Sequence, residues 1–156
     1  HVATLREGNH FGEDAFLIEG TRNATVRISI DATLLSLPGS DFKELISQPI
    51  VKNIDYSNAK ILLDQGQKML LDVRYEEEWD EERIPRAILI PLPELRARIK
   101  ELDKTKEYIV YCHAGKRSAV AAMIMEQAGL EASWLIDGIR DWPYDLITEG
   151  DMPLTH

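Results

Sequence analysis

The stretch Tyr108-Ile109-Val110-Tyr111-Cys112-His113-Ala114-Gly115-Lys116-Arg117-Ser118 determines the predicted fold. Its first four residues form a short apolar run typical of a buried strand. Residues 117–128 are rich in alanine and methionine and predict a helix that Gly129 closes. A strand that runs through a short loop into a helix is the repeating unit of a parallel sheet covered by helices.

Strands and helices alternate on both sides of this stretch. Short apolar runs predict strands over 69–73 and 133–136. Helices are predicted over 57–66, with Ser57 as the cap, and from Pro93 onward. We therefore predict an α/β fold in which a parallel sheet carries helices on both faces.

The first part of the chain has a different pattern. Residues 1–37 predict short strands and turns, and the β-branched segment 24–30 predicts a strand. A short helix is predicted over 41–47, before Pro49. We therefore divide the chain into residues 1–49 and an α/β domain over 50–156.

Composition and charge exclude several classes of function. The 156 residues are 44% hydrophobic and 29% charged, which is ordinary for a soluble globular protein. A net charge of -9 gives no support to nucleic-acid binding. The acidic run 76–82 predicts a solvated helix face. The longest apolar run, 119–125, is too short to span a membrane, and no signal peptide is visible.

The cysteine and histidine content indicates whether the protein binds a metal and in which cellular compartment it works. A lone cysteine excludes an internal disulfide and a cysteine-based metal site, and it fits a reducing cytoplasm. The four histidines lack the spacing of metal ligands. We expect a cytoplasmic protein without a bound metal and without an organic cofactor.

Cys112 follows the predicted strand and precedes the predicted helix. In open α/β sheets, ligands bind just beyond the carboxyl ends of strands. The small residues Ala114 and Gly115 allow a tight turn, so that several backbone N–H groups can point at the sulfur of Cys112. We therefore expect this loop to favour the anionic thiolate near neutral pH.

Three side chains of the same loop are candidates for a positive rim. His113, Lys116 and Arg117 would attract an anionic substrate to Cys112. The alternative is a structural role, because free cysteine is among the most buried residue types. The cationic, glycine-containing turn favours a reactive cysteine.

The loop Cys112-His113-Ala114-Gly115-Lys116-Arg117-Ser118 resembles the active-site loop of the rhodanese family. Three further segments resemble the family's strand with its Asp-x-Arg turn, its Ile-Pro segment and its C-terminal signature. They are Leu71-Asp72-Val73-Arg74, Ile84-Pro85 with Ala87 and Ile90-Pro91, and Leu135-Ile136-Asp137-Gly138 with Trp142, Gly150 and Pro153. Glu82, Arg83 and Arg86 depart from the usual residues, which affects local packing more than chemistry.

The resemblance implies a sulfurtransferase. Family members carry the transferred sulfur as a persulfide, here on Cys112, and pass it from a small anionic donor such as thiosulfate to cyanide or a thiol. It implies neither a metal nor an organic cofactor. The implied substrate-binding residues are His113, Ala114, Gly115, Lys116 and Arg117, with Asp72 and Arg74 shaping the site.

Two alternatives remain. Related phosphatases have five residues between the cysteine and the arginine, whereas four separate Cys112 from Arg117 here, and Tyr111 replaces a common histidine. A shorter loop leaves less room for a tetrahedral phosphate or arsenate. The second alternative is an interaction or sensor module that keeps the fold without turnover.

Residues 1–49 resemble the C-terminal part of a cyclic-nucleotide-binding domain. The resemblance rests on Phe11-Gly12-Glu13-Asp14-Ala15 and Arg22-Asn23-Ala24-Thr25-Val26, and it implies a partial β jelly-roll. In that family the equivalent of Glu13 binds the ribose hydroxyl and the equivalent of Arg22 binds the cyclic phosphate. The earlier strands would lie upstream of His1. We therefore expect cyclic-nucleotide binding, and regulation by it, only in a longer chain.

Overall fold

The computed structural model describes residues 4–7, 11–12, 25–41 and 51–148. Strands and helices alternate along the last of these ranges. In chain order they are β1 (Asn53–Ile54), α1 (Tyr56–Asp64), β2 (Lys68–Asp72), α2 (Glu76–Glu81), β3 (Glu82–Arg83), β4 (Ile88–Leu89), α3 (Leu92–Arg98), a 3-10 turn (Ile99–Glu101), β5 (Glu107–Tyr111), α4 (Lys116–Gln127), β6 (Glu131–Leu135) and β7 (Ile147–Thr148).

Five of the strands form one parallel sheet in the order β1-β6-β5-β2-β4. The short strands β3 and β7 pair antiparallel beside it. In this order β5 is the central strand, with β6 and β2 on its two sides. The segments that follow β2, β5 and β6 therefore meet at one edge of the sheet, where the predicted reactive loop lies.

Helices cover both faces of the sheet, as the sequence predicted. Alternate residues of β5 point to opposite faces, which is the period of a strand. Tyr108 and Val110 join a core cluster that includes residues of α3 and α4. Ile109 and Tyr111 join a second cluster that includes Ala59 of α1. Both surfaces of the central strand are therefore buried.

Element boundaries differ from the predicted ones by up to two residues. The prediction that Ser57 caps α1 is wrong, because the helix begins at Tyr56 and Asp55 is its cap. The Asp55 carboxylate accepts a hydrogen bond of 3.0 Å from the backbone N–H of Asn58. This bond satisfies a donor that would otherwise lack a partner at the helix start.

The predicted strand at 24–30 is wrong for residues 25–30, which form no strand. Val26, Ile28 and Ile30 are 47–80% exposed there. A strand needs a hydrogen-bonded neighbour, and none pairs with this segment among the described residues. Residues 39–41 are helical, which agrees with the predicted short helix at its start. The rest of that helix, 42–47, lies outside the described residues.

A turn after β6 packs directly on the segment after β5. The backbone N–H of Ile139 donates to the carbonyl of Cys112 at 2.8 Å, and that of Arg140 donates to the carbonyl of His113 at 3.1 Å. Gly138 makes this approach possible. A Cβ atom at Gly138 would lie 2.2 Å from the Cys112 carbonyl oxygen, and the φ angle of Gly138 is +65°.

We predict that Gly138→Ala lowers the free energy of unfolding by about 2–4 kcal/mol, because it adds a backbone clash to left-handed strain. Gly129→Ala is the matched control. Gly129 has φ +79° with open space around its Cβ position, so only the strain of about 1 kcal/mol is expected. Urea denaturation of both variants measures the difference, and equal losses would contradict the proposed close contact.

Candidate active site

Cys112 lies at the carboxyl end of the central strand β5. Its side chain is a free thiol and is only 2% exposed. Beyond it the chain makes a short loop, and α4 begins at Lys116. The Cys112 sulfur lies 3.5 Å from the hydroxyl oxygen of Ser118, in the first turn of α4.

The Ser118 hydroxyl can form a hydrogen bond with Cys112 both when the sulfur carries a proton and when it does not. Its hydroxyl donates to the carbonyl of Gly115 at 3.0 Å, which leaves the oxygen free to accept from the thiol. A hydroxyl hydrogen can rotate between acceptors. The same hydroxyl can therefore turn and donate to the sulfur once the thiol has lost its proton.

The backbone of the loop is oriented by the turn after β6. Because this turn binds the carbonyls of Cys112 and His113, those two carbonyls point toward it. In a trans peptide the N–H points opposite to the carbonyl. The N–H groups of His113 and Ala114 therefore point away from the turn and are available to an anion on the other side of the loop.

Gly115 is the cap of α4 and has a left-handed backbone with φ +85°. A Cβ atom at this position would lie 3.0 Å from the ring of Trp134 and 3.4 Å from the backbone nitrogen of Asp137. Glycine therefore fits both the conformation and the space. Ala114, next to it, is exposed.

The three predicted rim residues are in different environments. His113 and Lys116 are exposed. Arg117 is half-buried, and its guanidinium binds both carboxylate oxygens of Glu78 at 2.6 and 2.7 Å. It also lies over the ring of Tyr75, at 5.8 Å from the centroid. Within the described part of the chain, Lys116 makes no ion pair, so its charge is the one left uncompensated.

The Glu78–Arg117 pair is ionised on both sides. Burial alone raises the pKa of Glu78, but the hydrogen bonds from Arg117 and from the backbone of Tyr75, together with the charges of Arg117 and Arg74, hold that pKa below its ordinary value. The hydrogen bond to Glu78 raises the pKa of Arg117, against the opposing effect of burial, and the charge of Glu78 adds to the rise. The positive charge of Arg117 is therefore offset by the carboxylate of Glu78.

Asp72 and Arg74 form a buried ion pair at the end of β2. Three hydrogen bonds of 2.8–3.1 Å join the Arg74 guanidinium to the Asp72 carboxylate. Arg74 also donates to the Glu82 carbonyl at 2.7 Å and lies over the ring of Tyr111. The pair thus connects β2, β3 and β5 beside the loop, and it has no hydrogen bond to Cys112 among the described residues.

Tyr111 completes this buried network on the face opposite to Cys112. Burial raises the pKa of Tyr111, and the neighbouring Asp72 adds to the shift. Its hydroxyl is therefore neutral and accepts a hydrogen bond of 3.2 Å from the N–H of Ile84. The network holds the strand that carries Cys112 in its register.

The sequence did not identify Glu78, Ser118 or Gly138 as residues of the site. Glu78 was included in an acidic run interpreted as a solvated helix face, and its partner Arg117 is 39 residues away. Ser118 and Gly138 are present in the quoted motifs, but nothing local assigns them a role. Their contacts to Cys112 depend on the loop and on the neighbouring turn.

Of the residues predicted to bind the cyclic nucleotide, only Gly12 lies within the described part of the chain, where it has φ +95° and an open Cβ position. The other predicted residues lie outside it. These are Glu13, Ala15, Arg22, Asn23 and Ala24.

Three further observations concern ligands and partners. Across the described ranges, no group of three or more His, Cys, Asp or Glu side chains is arranged to hold a metal. No helix within those ranges is long and apolar enough to cross a membrane.

A surface cavity of about 210 Å³ lies beside Tyr75 and carries three carboxylates. Its lining residues are Tyr75, Glu76, Glu77, Pro91, Pro93 and Glu94.

Sequence comparisons find relatives over the α/β part of the chain. The sulfur carrier protein YrkF of Bacillus subtilis is 39% identical over 74 residues, which are 47% of this chain and 40% of that protein. The thiosulfate sulfurtransferase GlpE of Coxiella burnetii is 32% identical over 92 residues, 58% of this chain and 86% of that protein. The chain thus spans less than half the length of the first relative and most of the second.

Solved structures and family models agree with these relatives. The crystal structure of a rhodanese-related protein from Thermoplasma volcanium superposes with a TM-score of 0.59 and 31% identity, covering 62% of this chain and 98% of that one. Residues 1–49 match the cyclic nucleotide-binding domain model. Residues 55–144, more than half of the chain, match the model of the rhodanese-like domain. With the thiol at the end of the central strand and the loop that surrounds it, this match identifies the chain as a member of the rhodanese family.

Proposed function

We propose that the chain is a sulfurtransferase that carries sulfane sulfur as a persulfide on Cys112. The observation that supports this most strongly is the position of the free thiol. It lies at the carboxyl end of the central strand, within reach of the Ser118 hydroxyl and beside loop N–H groups directed away from the neighbouring turn. A thiolate and a persulfide anion both require such donors.

In the first half-reaction the Cys112 thiolate attacks the outer sulfur of thiosulfate or a similar donor. A sulfur–sulfur bond forms to Cys112, and the sulfur–sulfur bond of the donor breaks. Sulfite leaves with the electron pair of that bond. The terminal persulfide sulfur then carries the negative charge, which the N–H groups of His113 and Ala114 and the Ser118 hydroxyl stabilise.

In the second half-reaction a thiophilic acceptor removes the outer sulfur. Cyanide attacks the terminal sulfur, thiocyanate leaves, and Cys112 returns as the thiolate. A thiol acceptor instead forms its own persulfide. Because Cys112 must stay a free thiol between cycles, we place the reaction in a reducing compartment, the cytoplasm.

A phosphatase or arsenate reductase is a weaker candidate for the same loop. Arg117, the residue that would bind a tetrahedral oxyanion, is bound through both of its terminal nitrogens to Glu78. A non-catalytic interaction module is a weaker candidate as well. Such a module has no need of the free Cys112 thiol beside Ser118 and the loop N–H groups.

We also propose that the chain divides near residue 50 and that the N-terminal segment belongs to a cyclic-nucleotide sensor that regulates the sulfurtransferase. The match of residues 1–49 to the nucleotide-binding model supports this proposal. Calorimetry with cyclic AMP and cyclic GMP tests it on this chain and on one extended upstream. Tight binding to the extended chain, with a changed transfer rate, is the expected result, and binding of neither nucleotide would refute it.

Cys112→Ser is predicted to abolish thiosulfate:cyanide transfer without a change in fold, because no second cysteine is present to replace it. Ser118→Ala is the companion variant. It removes one donor to the sulfur and keeps the nucleophile, so a partial loss of kcat of roughly tenfold is expected. Thiocyanate formation and circular dichroism measure both effects. Retained activity in the serine variant would rule out the proposed nucleophile.

Lys116→Gln is predicted to raise the KM for thiosulfate roughly two- to fivefold, with a smaller change in kcat, because an exposed charge mainly attracts the dianion. Lys106→Gln is the matched control, since Lys106 is exposed and precedes β5, at the opposite edge of the sheet. Steady-state kinetics at low and high salt compare the two. Equal KM values would show that Lys116 does not attract the donor.

A further inference from the structure

We propose that Glu78 is a specificity-determining residue that favours sulfur donors of low charge, organic thiosulfonates or persulfides, over the thiosulfate dianion. This inference rests on the proposed sulfurtransferase function and specifies its donor class. Glu78 acts through Arg117, so it is a positioning residue that does not itself contact the donor.

The geometry of the pair supports this assignment. Both terminal nitrogens of Arg117 bind the two oxygens of Glu78, at 2.6 and 2.7 Å, and the two side chains are 17% and 28% exposed. A bidentate pair of this kind fixes the guanidinium in one orientation. Two of the five N–H donors of Arg117 are therefore held by a carboxylate of this chain, which also offsets its positive charge.

The charge of the surroundings adds to the effect. The second arginine near the loop, Arg74, is paired with the buried Asp72. The cavity beside Tyr75 is lined by Glu76, Glu77 and Glu94, and the ring of Tyr75 also faces Arg117. Glu94 is bound to Arg98, so the carboxylates of Glu76 and Glu77 are the ones that repel an anion approaching from the side of Tyr75. The repulsion grows with the charge of the donor.

Methanethiosulfonate is a suitable probe, because it offers the same outer sulfur with one negative charge in place of two. The Cys112 thiolate attacks that sulfur, the sulfur–sulfur bond of the probe breaks, and methanesulfinate leaves with the electron pair. The persulfide formed on Cys112 is the same as that from thiosulfate. The second half-reaction is common to both donors. Any difference in kcat/KM therefore arises from donor binding or from departure of the leaving group.

The test compares kcat/KM for thiosulfate and for methanethiosulfonate, with cyanide as the acceptor. The variants are Glu78→Gln, the control Glu81→Gln, and Glu78→Gln combined with Arg117→Gln. Glu81 is exposed and lies on the same helix α2, so its variant removes an equal charge without removing a hydrogen bond to Arg117. The double variant removes the arginine that Glu78→Gln would release.

We expect Glu78→Gln to raise the preference for thiosulfate over methanethiosulfonate roughly three- to tenfold. Glu81→Gln is expected to leave the preference within twofold of the wild type. The double variant is expected to return the preference that Glu78→Gln raised to the wild-type value. An equal change for both donors, or equal effects of Glu78→Gln and Glu81→Gln, would overturn the proposal. Failure of the wild type to use either donor would instead refute the proposed function, so the two failures are distinguishable.

Discussion

The hydrogen bond from Ile139 to the carbonyl of Cys112 is the contact on which the site depends. It joins the turn after β6 to the end of the central strand, and it requires Gly138 to approach the Cys112 carbonyl without a side chain. With the carbonyls of Cys112 and His113 directed at this turn, their peptide N–H groups point the other way. In the proposed function, these N–H groups bind the anionic sulfur at the end of the central strand.

Two ion pairs at the same edge of the sheet reduce the positive charge near the loop. Arg74 and Arg117 both lie near the loop, and each is bound to a carboxylate, Asp72 and Glu78 respectively. The Asp72–Arg74 pair is buried and maintains the packing of three strands. The Glu78–Arg117 pair is partly exposed, and Arg117 directly precedes Ser118, whose hydroxyl lies 3.5 Å from the sulfur. One pair is therefore structural, while the other is the pair that we propose influences which donors Cys112 uses.

Much of the fold and part of the site could be predicted from the sequence. The apolar run 108–111 and the small residues after Cys112 predicted a strand, a tight loop and a helix, because these signals are local. The cap at Asp55 was missed, since Ser57 offers a similar signal two residues later. The strand at 25–30 was wrongly predicted, because β-branched residues do not form a strand without a neighbour to pair with.

The Glu78–Arg117 pair could not be predicted, because it joins two elements 39 residues apart and depends on how α2 packs against the loop. Acidic residues in a helix are usually solvated, and nothing in the run distinguishes Glu78 from Glu77 or Glu81. The contact of Gly138 with Cys112 could not be predicted for a similar reason. It follows from the order of β5 and β6 in the sheet, which only the tertiary structure defines.

Mass spectrometry of the intact protein after incubation with a sulfane-sulfur donor tests the central claim most directly. The account predicts a mass increase of one sulfur atom, located at Cys112 in the digested protein and removed by cyanide. An unmodified Cys112 after exposure to both thiosulfate and methanethiosulfonate, or an added sulfur that cyanide does not remove, would contradict it.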